Sequence, residues 1–321
     1  MQKKRIEYID LAKGICMLLV VMGHIQEAFA DETLKDVSYV MSYFRMPLYF
    51  MLSGLFFKTY SGLHYFLIKK LNHLLIPYLF FLLLGFVTFR NYPIWFLFSL
   101  FSTNIIFYFC NVASERLGKK FLLPLMCLAI SVVGFYLPNG RGCDNLWMEH
   151  LYYVETAMTC IGFYYVGFFI RNSTEFLTRP EKSSSVIYAI LLLLLCGAVV
   201  FVVGWYYDYA DTGFRLNFFD FPLYALYLAG LAGSVGVMIF ARIVGHLPYV
   251  SYIGRYSIIV LLTHFPMTVV LARFLPDKMP LTAVLVLLLE IPVIFVCKRY
   301  FPYLFAQKEL IPLPEVGKTK L

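Results

Sequence analysis

The sequence predicts an all-α integral membrane protein with about ten transmembrane helices in one bundle. Three observations carry that prediction. Hydrophobic residues make up 61% of the 321-residue chain, charged ones only 14%, and the mean hydropathy is +0.75; a soluble domain of this length needs far more polar surface. Apolar runs close to the roughly 20 residues that cross a hydrocarbon layer recur along the whole chain. Alternating segments of the kind that build membrane barrels are scarce, while the 32 Phe and 25 Tyr suit the aromatic belts at a bilayer's two surfaces.

Ten spans follow in order. The first, 8–29, contains "DLAKGICMLLVVMGHI", apolar except for Asp10, Lys13 and His24. The second, 37–57, holds "SYFRMPLYFMLSG", with Arg45 beside Pro47. The third, 71–89, begins just after Lys69 and Lys70. The fourth, 93–112, opens on "IWFLFSL", where Trp95 reads as an interfacial anchor. The fifth and sixth are 121–138 and 151–170, the latter carrying Glu155 near one end. The seventh, 185–205, is almost purely aliphatic. In the eighth, 219–241, Gly230, Gly233 and Gly236 recur every third residue, a spacing that suits close helix packing. The ninth and tenth, 250–272 and 280–301, complete a membrane domain over residues 1–305, followed by a short tail, 306–321. No internal repeat of the kind found in many transporters is visible.

Charge gives the orientation. With the N-terminus inside, eighteen of the 27 Lys and Arg fall in inner segments and six in outer ones, which predicts both termini in the cytoplasm. The net charge of +8 is spread in short clusters between apolar runs, so a nucleic-acid partner is not expected. The seven cysteines contain no CxxC pair and read as small buried hydrophobes, with Cys143 alone in an outer loop. The start of the chain imitates a secretory signal ending at "AFA", but Glu7 and Asp10 do not belong in a positive leader. It reads as a retained first helix.

The polar groups inside the spans bear on function. At 100° per residue, Lys13 and His24 lie about 20° from eclipsed and roughly 16 Å apart along one helix face. Asp10 is one turn before Lys13 and can pair with it; Glu27 is one turn beyond His24. Either basic residue alone reads as snorkelling to a surface. An aligned stripe predicts a polar cavity or pathway instead, because ionisable groups within a membrane usually face the bundle interior. Arg45 must meet an anion or water, since its guanidinium does not deprotonate. The group Lys69, Lys70 and His73 in "KKLNHLLIPY" reads either as ordinary inner-surface charge or as a phosphate site. On a straight helix, Arg255 and His264 face opposite sides. No His pair has i,i+4 spacing, so no metal is expected.

Taken together, these segments resemble the bacterial acyltransferase-3 family. "RIEYIDLAKGICMLLVVMGH" is similar to its first helix, with the Lys-x10-His pattern at Lys13 and His24. "FRMPLYFMLSGLFF", "KKLNHLLIPY", "IWFLFSL", "VETAMTCIGFYYVG" and "IGRYSIIVLLTH" resemble later segments in the family's order. Relatives commonly carry arginines where this chain has Lys69, Lys70 and His73. The resemblance implies an integral-membrane O-acyltransferase of the bacterial cytoplasmic membrane. Its expected substrates are acetyl-CoA and a hydroxyl of a cell-surface glycan or glycolipid precursor, with membrane lipids as surroundings.

On that reading His24 is the base that deprotonates the acceptor hydroxyl, or a nucleophile that carries the acetyl group itself. Asp10 and Glu155 are further catalytic candidates, Asp10 chiefly by orienting Lys13. Lys13, Arg45, Lys69, Lys70 and His73 are candidates for contacts to acetyl-CoA, and Lys13 or Arg45 for stabilising the oxyanion. A transporter or flippase for a polysaccharide intermediate would also need polar stripes within a bundle, whereas a purely structural subunit of a polysaccharide-export complex would tolerate changes at His24 and Lys13.

Overall fold

The computed structural model describes residues 6–60, 62–88, 94–137, 153–171, 183–210 and 212–314. Lys3, Lys4, Arg5, Arg90, Arg141, Arg179, Lys182, Lys318 and Lys320, which enter the count of inner and outer charges, and Cys143 lie outside them.

Helix α1 (Glu7–Phe29) places Glu7 and Asp10 in its first turn, where carboxylates offset the positive end of the helix dipole. It stops at Ala30, which turns left-handed (φ 49°) and returns its N–H to the Gln26 and Glu27 carbonyls. In the following turn the Asp31 carboxylate accepts hydrogens from the Thr33 and Leu34 N–H groups, at 2.8 and 3.2 Å. Helix α2 (Lys35–Leu55) contains Pro47. Next come α3 (Leu63–Lys70), a π-helical turn (Leu71–Leu75) and α4 (Ile76–Thr88), in series. This rod starts at Leu63, about two turns before the predicted 71–89, because Leu63, Phe66 and Leu67 continue the apolar run toward the chain's start.

The rest of the bundle comprises α5 (Trp95–Arg116), α6 (Leu122–Tyr136), α7 (Val154–Thr159), α8 (Ile161–Arg171), α9 (Ser183–Tyr206), α10 (Leu223–Val244), α11 (Pro248–Arg255), α12 (Ser257–Phe274) and α13 (Met279–Tyr300). Between α9 and α10 lies a small hairpin, β1 (Thr212–Gly213) antiparallel to β2 (Phe218–Phe219). Two predicted spans are broken. The 151–170 span parts at Cys160 into α7 and α8, and the 250–272 span parts at Tyr256 into α11 and α12. The straight-helix geometry assumed for Arg255 and His264 therefore does not hold.

Among the described residues, seven helical stretches are long and apolar enough to cross a membrane: α1, α3–α4, α5, α9, α10, α12 and α13. Helices α6 and α8 are shorter but apolar. Helix α2 has the length, but its Ser, Tyr and Arg side chains lower its hydropathy. It is surrounded by protein, so it needs no lipid-facing surface. The chain is a multi-pass membrane protein. Burial grades from centre to edge: the apolar window of α1 is 67% buried, that of α9 only 17%. The outward Leu194 and Phe201 of α9 are 64% and 60% exposed, a surface that suits lipid rather than water.

Close crossings set the packing. A Cβ at Gly14 would overlap the Val250 carbonyl, and one at Gly254 would overlap that of Asp10, so α1 and α11 meet backbone to backbone. The glycines expected to pack in α10 do so, against the rings of Phe163 and Phe44 and the side chain of Cys196. Six cysteines are buried free thiols. At the end where α1 begins, Phe57 meets Phe107 and Phe168 edge to face, and the Arg171 guanidinium donates to its carbonyl.

Candidate functional site

Two cavities open into the bundle. The first, about 380 Å³, lies toward the end where α1 finishes and is lined by His24, Glu27, Arg45, Trp95, Phe96, Arg215 and Leu261 among others. His24 Nδ1 lies 2.9 Å from Glu27 Oε2. An ionised carboxylate only accepts, so in neutral His24 the hydrogen resides on Nδ1 and Nε2 keeps its lone pair. The ring is also held from α12, with its centroid 5.3 Å from that of His264 and 5.6 Å from that of Phe265. Arg45 crosses from α2 through a notch at Gly23, where any Cβ would overlap its guanidinium. The Cys16 thiol donates to the Arg45 carbonyl at 2.9 Å.

The hairpin closes one side of this cavity. Thr212 is hydrogen-bonded to Ser42 of α2, Thr156 donates to the Phe214 carbonyl at 2.7 Å, and Thr159 to Asn217 at 2.8 Å. These bonds present Arg215 to the cavity, a residue that no sequence motif singles out. Trp95, expected at a membrane surface, is instead 7% exposed and faces the cavity.

The second cavity, about 350 Å³, opens toward the end where α1 begins. Lys13, Lys69, Lys70 and His73 all line it, with Tyr60 and Ser53. The Lys13 ammonium lies 4.6 Å from the centre of the Phe56 ring and that of Lys69 lies 4.9 Å from Tyr60, placements that hold a cation against an apolar wall. His73 Nδ1 is fixed by the Lys69 carbonyl at 2.9 Å. The π turn that carries His73 also carries Asn72, which is 1% exposed. Asn72 accepts from the Leu310 and Ile311 N–H groups at 2.9 and 2.8 Å and donates to the Ile311 carbonyl at 2.8 Å. It thereby ties the tail across this end, so that Ala306 becomes part of the cavity wall.

Phe96 and Leu261 line both cavities. The polar stripe expected along α1 thus divides between them, Lys13 in one and His24 with Glu27 in the other. The basic candidates separate in the same way: Lys13, Lys69, Lys70 and His73 share one chamber, while Arg45 stands beside His24. Asp10 and Glu155 line neither. The Asp10 carboxylate is 3.8 Å from Arg255 Nε, a partner that spacing did not suggest, and is 5% exposed. Glu155 lies in α7, with one carboxylate oxygen buried and without a hydrogen-bond partner among the described residues. Among those residues no three His, Cys, Asp or Glu side chains gather as metal ligands would. His264 ends the segment "IGRYSIIVLLTH", but its place beside His24 and the shared wall are not legible in the sequence, since neither contact has a signature apart from the fold.

The chain matches a family model described as an acyltransferase domain, the acyltransferase-3 type, over residues 6–90 and 84–299. No curated protein and no solved structure matches it.

Proposed function

Because the chain belongs to the acyltransferase-3 family and is a membrane acyltransferase, we propose that it moves an acetyl group from cytoplasmic acetyl-CoA to a hydroxyl of a cell-surface glycan or lipid-linked sugar precursor. The observation that carries this reading is the pair of cavities meeting at Phe96 and Leu261, basic on one side and bearing a carboxylate-held imidazole on the other. The excess of Lys and Arg in the loops at the Lys13 end supports placing that end, with both termini, at the cytoplasmic face of a bacterial inner membrane.

Lys13, Lys69, Lys70 and His73 then hold the phosphates of the nucleotide. The long pantetheine arm suits a passage between Phe96 and Leu261 toward His24. His24 Nε2 takes the hydrogen of the acceptor hydroxyl as its oxygen attacks the thioester carbonyl. Arg45, whose guanidinium lies against α1 at Gly23, faces the oxyanion that forms. As the carbon–sulfur bond breaks, the proton on His24 passes to the sulfur and free CoA leaves. In the alternative sequence His24 Nε2 attacks the thioester carbonyl and CoA leaves as its thiolate; the acceptor oxygen then takes the acetyl group from His24 while its hydrogen passes to that thiolate. Glu27 serves both, by fixing the tautomer and by facing the imidazolium.

Acetyl-CoA binding tests this reading without knowledge of the acceptor. Purified wild type is expected to bind, Lys13→Ala to bind weakly, and His24→Ala to bind but not transfer. Arg45→Ala is expected to bind and to transfer slowly. Folded, monodisperse wild type that does not bind would remove the main support and favour a transporter of a glycan intermediate.

A further inference from the structure

Behind His24 lies a second histidine that the transfer chemistry above leaves unused. His264 is fully buried in α12 and is absent from the lining of both cavities. Its Nδ1 lies 2.7 Å from the Val260 carbonyl. A carbonyl only accepts, so Nδ1 carries the hydrogen and Nε2 holds a lone pair. That nitrogen is buried and has no hydrogen-bond partner among the described residues. Burying an acceptor without a partner is costly, and Phe or Leu would fill the same space without that cost. Polar satisfaction within α12 therefore does not explain the imidazole. Its neighbour does: the two rings are 5.3 Å apart at an inclination of 35°.

The groups facing His24 come from four elements. Glu27 holds its Nδ1 from α1, Arg45 stands on α2, Arg215 on the hairpin, and His264 on α12. Arg45 and Arg215 both oppose a positive charge on His24, and Glu27, with its side chain 57% exposed, is screened by solvent in opposing them. His264 is the fully buried neighbour, and its ring dipole is fixed by the Val260 bond.

We infer that His264 is a positioning residue for His24: its fixed, uncharged ring holds the His24 imidazole toward the cavity and stabilises the positive charge that imidazole acquires. The inference rests on the reading of His24 as the group that takes a proton. The proton leaves the acceptor hydroxyl, resides on His24 while the carbon–oxygen bond forms and the carbon–sulfur bond breaks, and passes to the sulfur. His264 gains and loses none.

The test compares full-length His264→Phe and His264→Gln with wild type in detergent. Phe keeps the ring's bulk without the lone pair, whereas the Gln carboxamide can place an acceptor near the position of Nε2. The probe is diethyl pyrocarbonate, with modification of the His24 peptide followed by mass spectrometry, and acetyl-CoA binding measured on the same samples. The expected result, at a pH high enough to keep imidazoles neutral in all samples, is unchanged acetyl-CoA binding, with His24 modified about tenfold more slowly in His264→Phe and near the wild-type rate in His264→Gln. About tenfold is the rate equivalent of losing one favourable contact to a charged group. Equal rates in wild type and His264→Phe, or equal losses in the two variants, would reduce His264 to packing and overturn the inference. If His264→Phe does not fold, His264→Leu takes its place as the variant without a lone pair: a slowed rate restored in His264→Gln supports the inference, and a rate equal to wild type overturns it. Wild type that fails to bind acetyl-CoA overturns the donor assignment, and the modification rates still decide the histidine pair.

Discussion

Replacing Glu27 by Gln tests whether the carboxylate does more than orient His24. The Gln carbonyl can still accept the Nδ1 hydrogen, so the tautomer survives and only the charge is removed. The pair is separated by 2.9 Å, with His24 19% and Glu27 57% exposed. A hydrogen bond to a charged group contributes about 1.5–3 kcal/mol, a neutral one about 1 kcal/mol. Exposure on the Glu27 side moves the difference toward the lower end, as for other solvent-screened pairs, and leaves about 1 kcal/mol acting on the imidazolium. The rate of transfer should then fall about fivefold. Glu27→Ala should cost more, because it also frees the ring to turn. The assay is transfer of labelled acetyl from acetyl-CoA into the glycolipid fraction of membranes carrying each variant, beside acetyl-CoA binding by the purified proteins. A wild-type rate in Glu27→Gln would refute the electrostatic role. A parallel loss of donor binding would refute the separation of the two chambers.

Three further outcomes follow from the same geometry. Changing Lys69 and Lys70 together to Ala should raise the KM for acetyl-CoA about tenfold or more with kcat nearly kept, since on the proposed reading they meet the donor far from the reacting carbonyl; a fall in kcat at constant KM would contradict this. Asn72→Ala removes three bonds to the tail, each contributing about 0.5–1.5 kcal/mol. Brief proteolysis should then cut within residues 306–314 while the bundle stays intact, and unchanged resistance would show that the tail is held otherwise. Gly14→Leu should lower the melting midpoint in detergent by several degrees, because overpacking costs about 1–3 kcal/mol. Gly197→Leu, where a Cβ meets nothing within 4 Å, should not lower it.

Much of the fold was legible because lipid leaves a chain few choices. A backbone in hydrocarbon must bond to itself, so apolar length alone located α1, α5, α9, α10 and α13 to within a few residues. The breaks at Cys160 and Tyr256 were not legible. Ile161 and Ser257 follow without Pro or Gly at the break itself; at the second, α11 packs against the backbone of α1 at Gly14, a contact that the sequence does not announce. Trp95 was misplaced for a related reason. A Trp near a span's start is a surface anchor by statistics, yet α5 begins inside the bundle, where Tyr153 and Phe96 cover that ring.

The site was legible along one helix and illegible between helices. Periodicity put Lys13 and His24 on one face of α1, and that geometry survives in the two chambers. What periodicity could not supply is the distance between elements remote in sequence. Arg45 reaches His24's helix only because Gly23 leaves room for it. Lys69, Lys70 and His73 share a chamber with Lys13 because the π turn at Leu71–Leu75 changes which side chains face inward at that point of the rod. The same turn directs Asn72 to the tail. Leu261 and Phe96 have no chemistry of their own, yet they line the boundary between a basic chamber and one that holds a base. On the proposed reading the division of labour comes from packing: charge at one end would select the donor, and the apolar boundary at Phe96 and Leu261 would decide what reaches His24. If that boundary matters, Phe96→Ala should widen the passage. Hydrolysis of acetyl-CoA by water would then rise relative to transfer, measured as thiol release without acceptor; an unchanged ratio would mean that Phe96 only fills space.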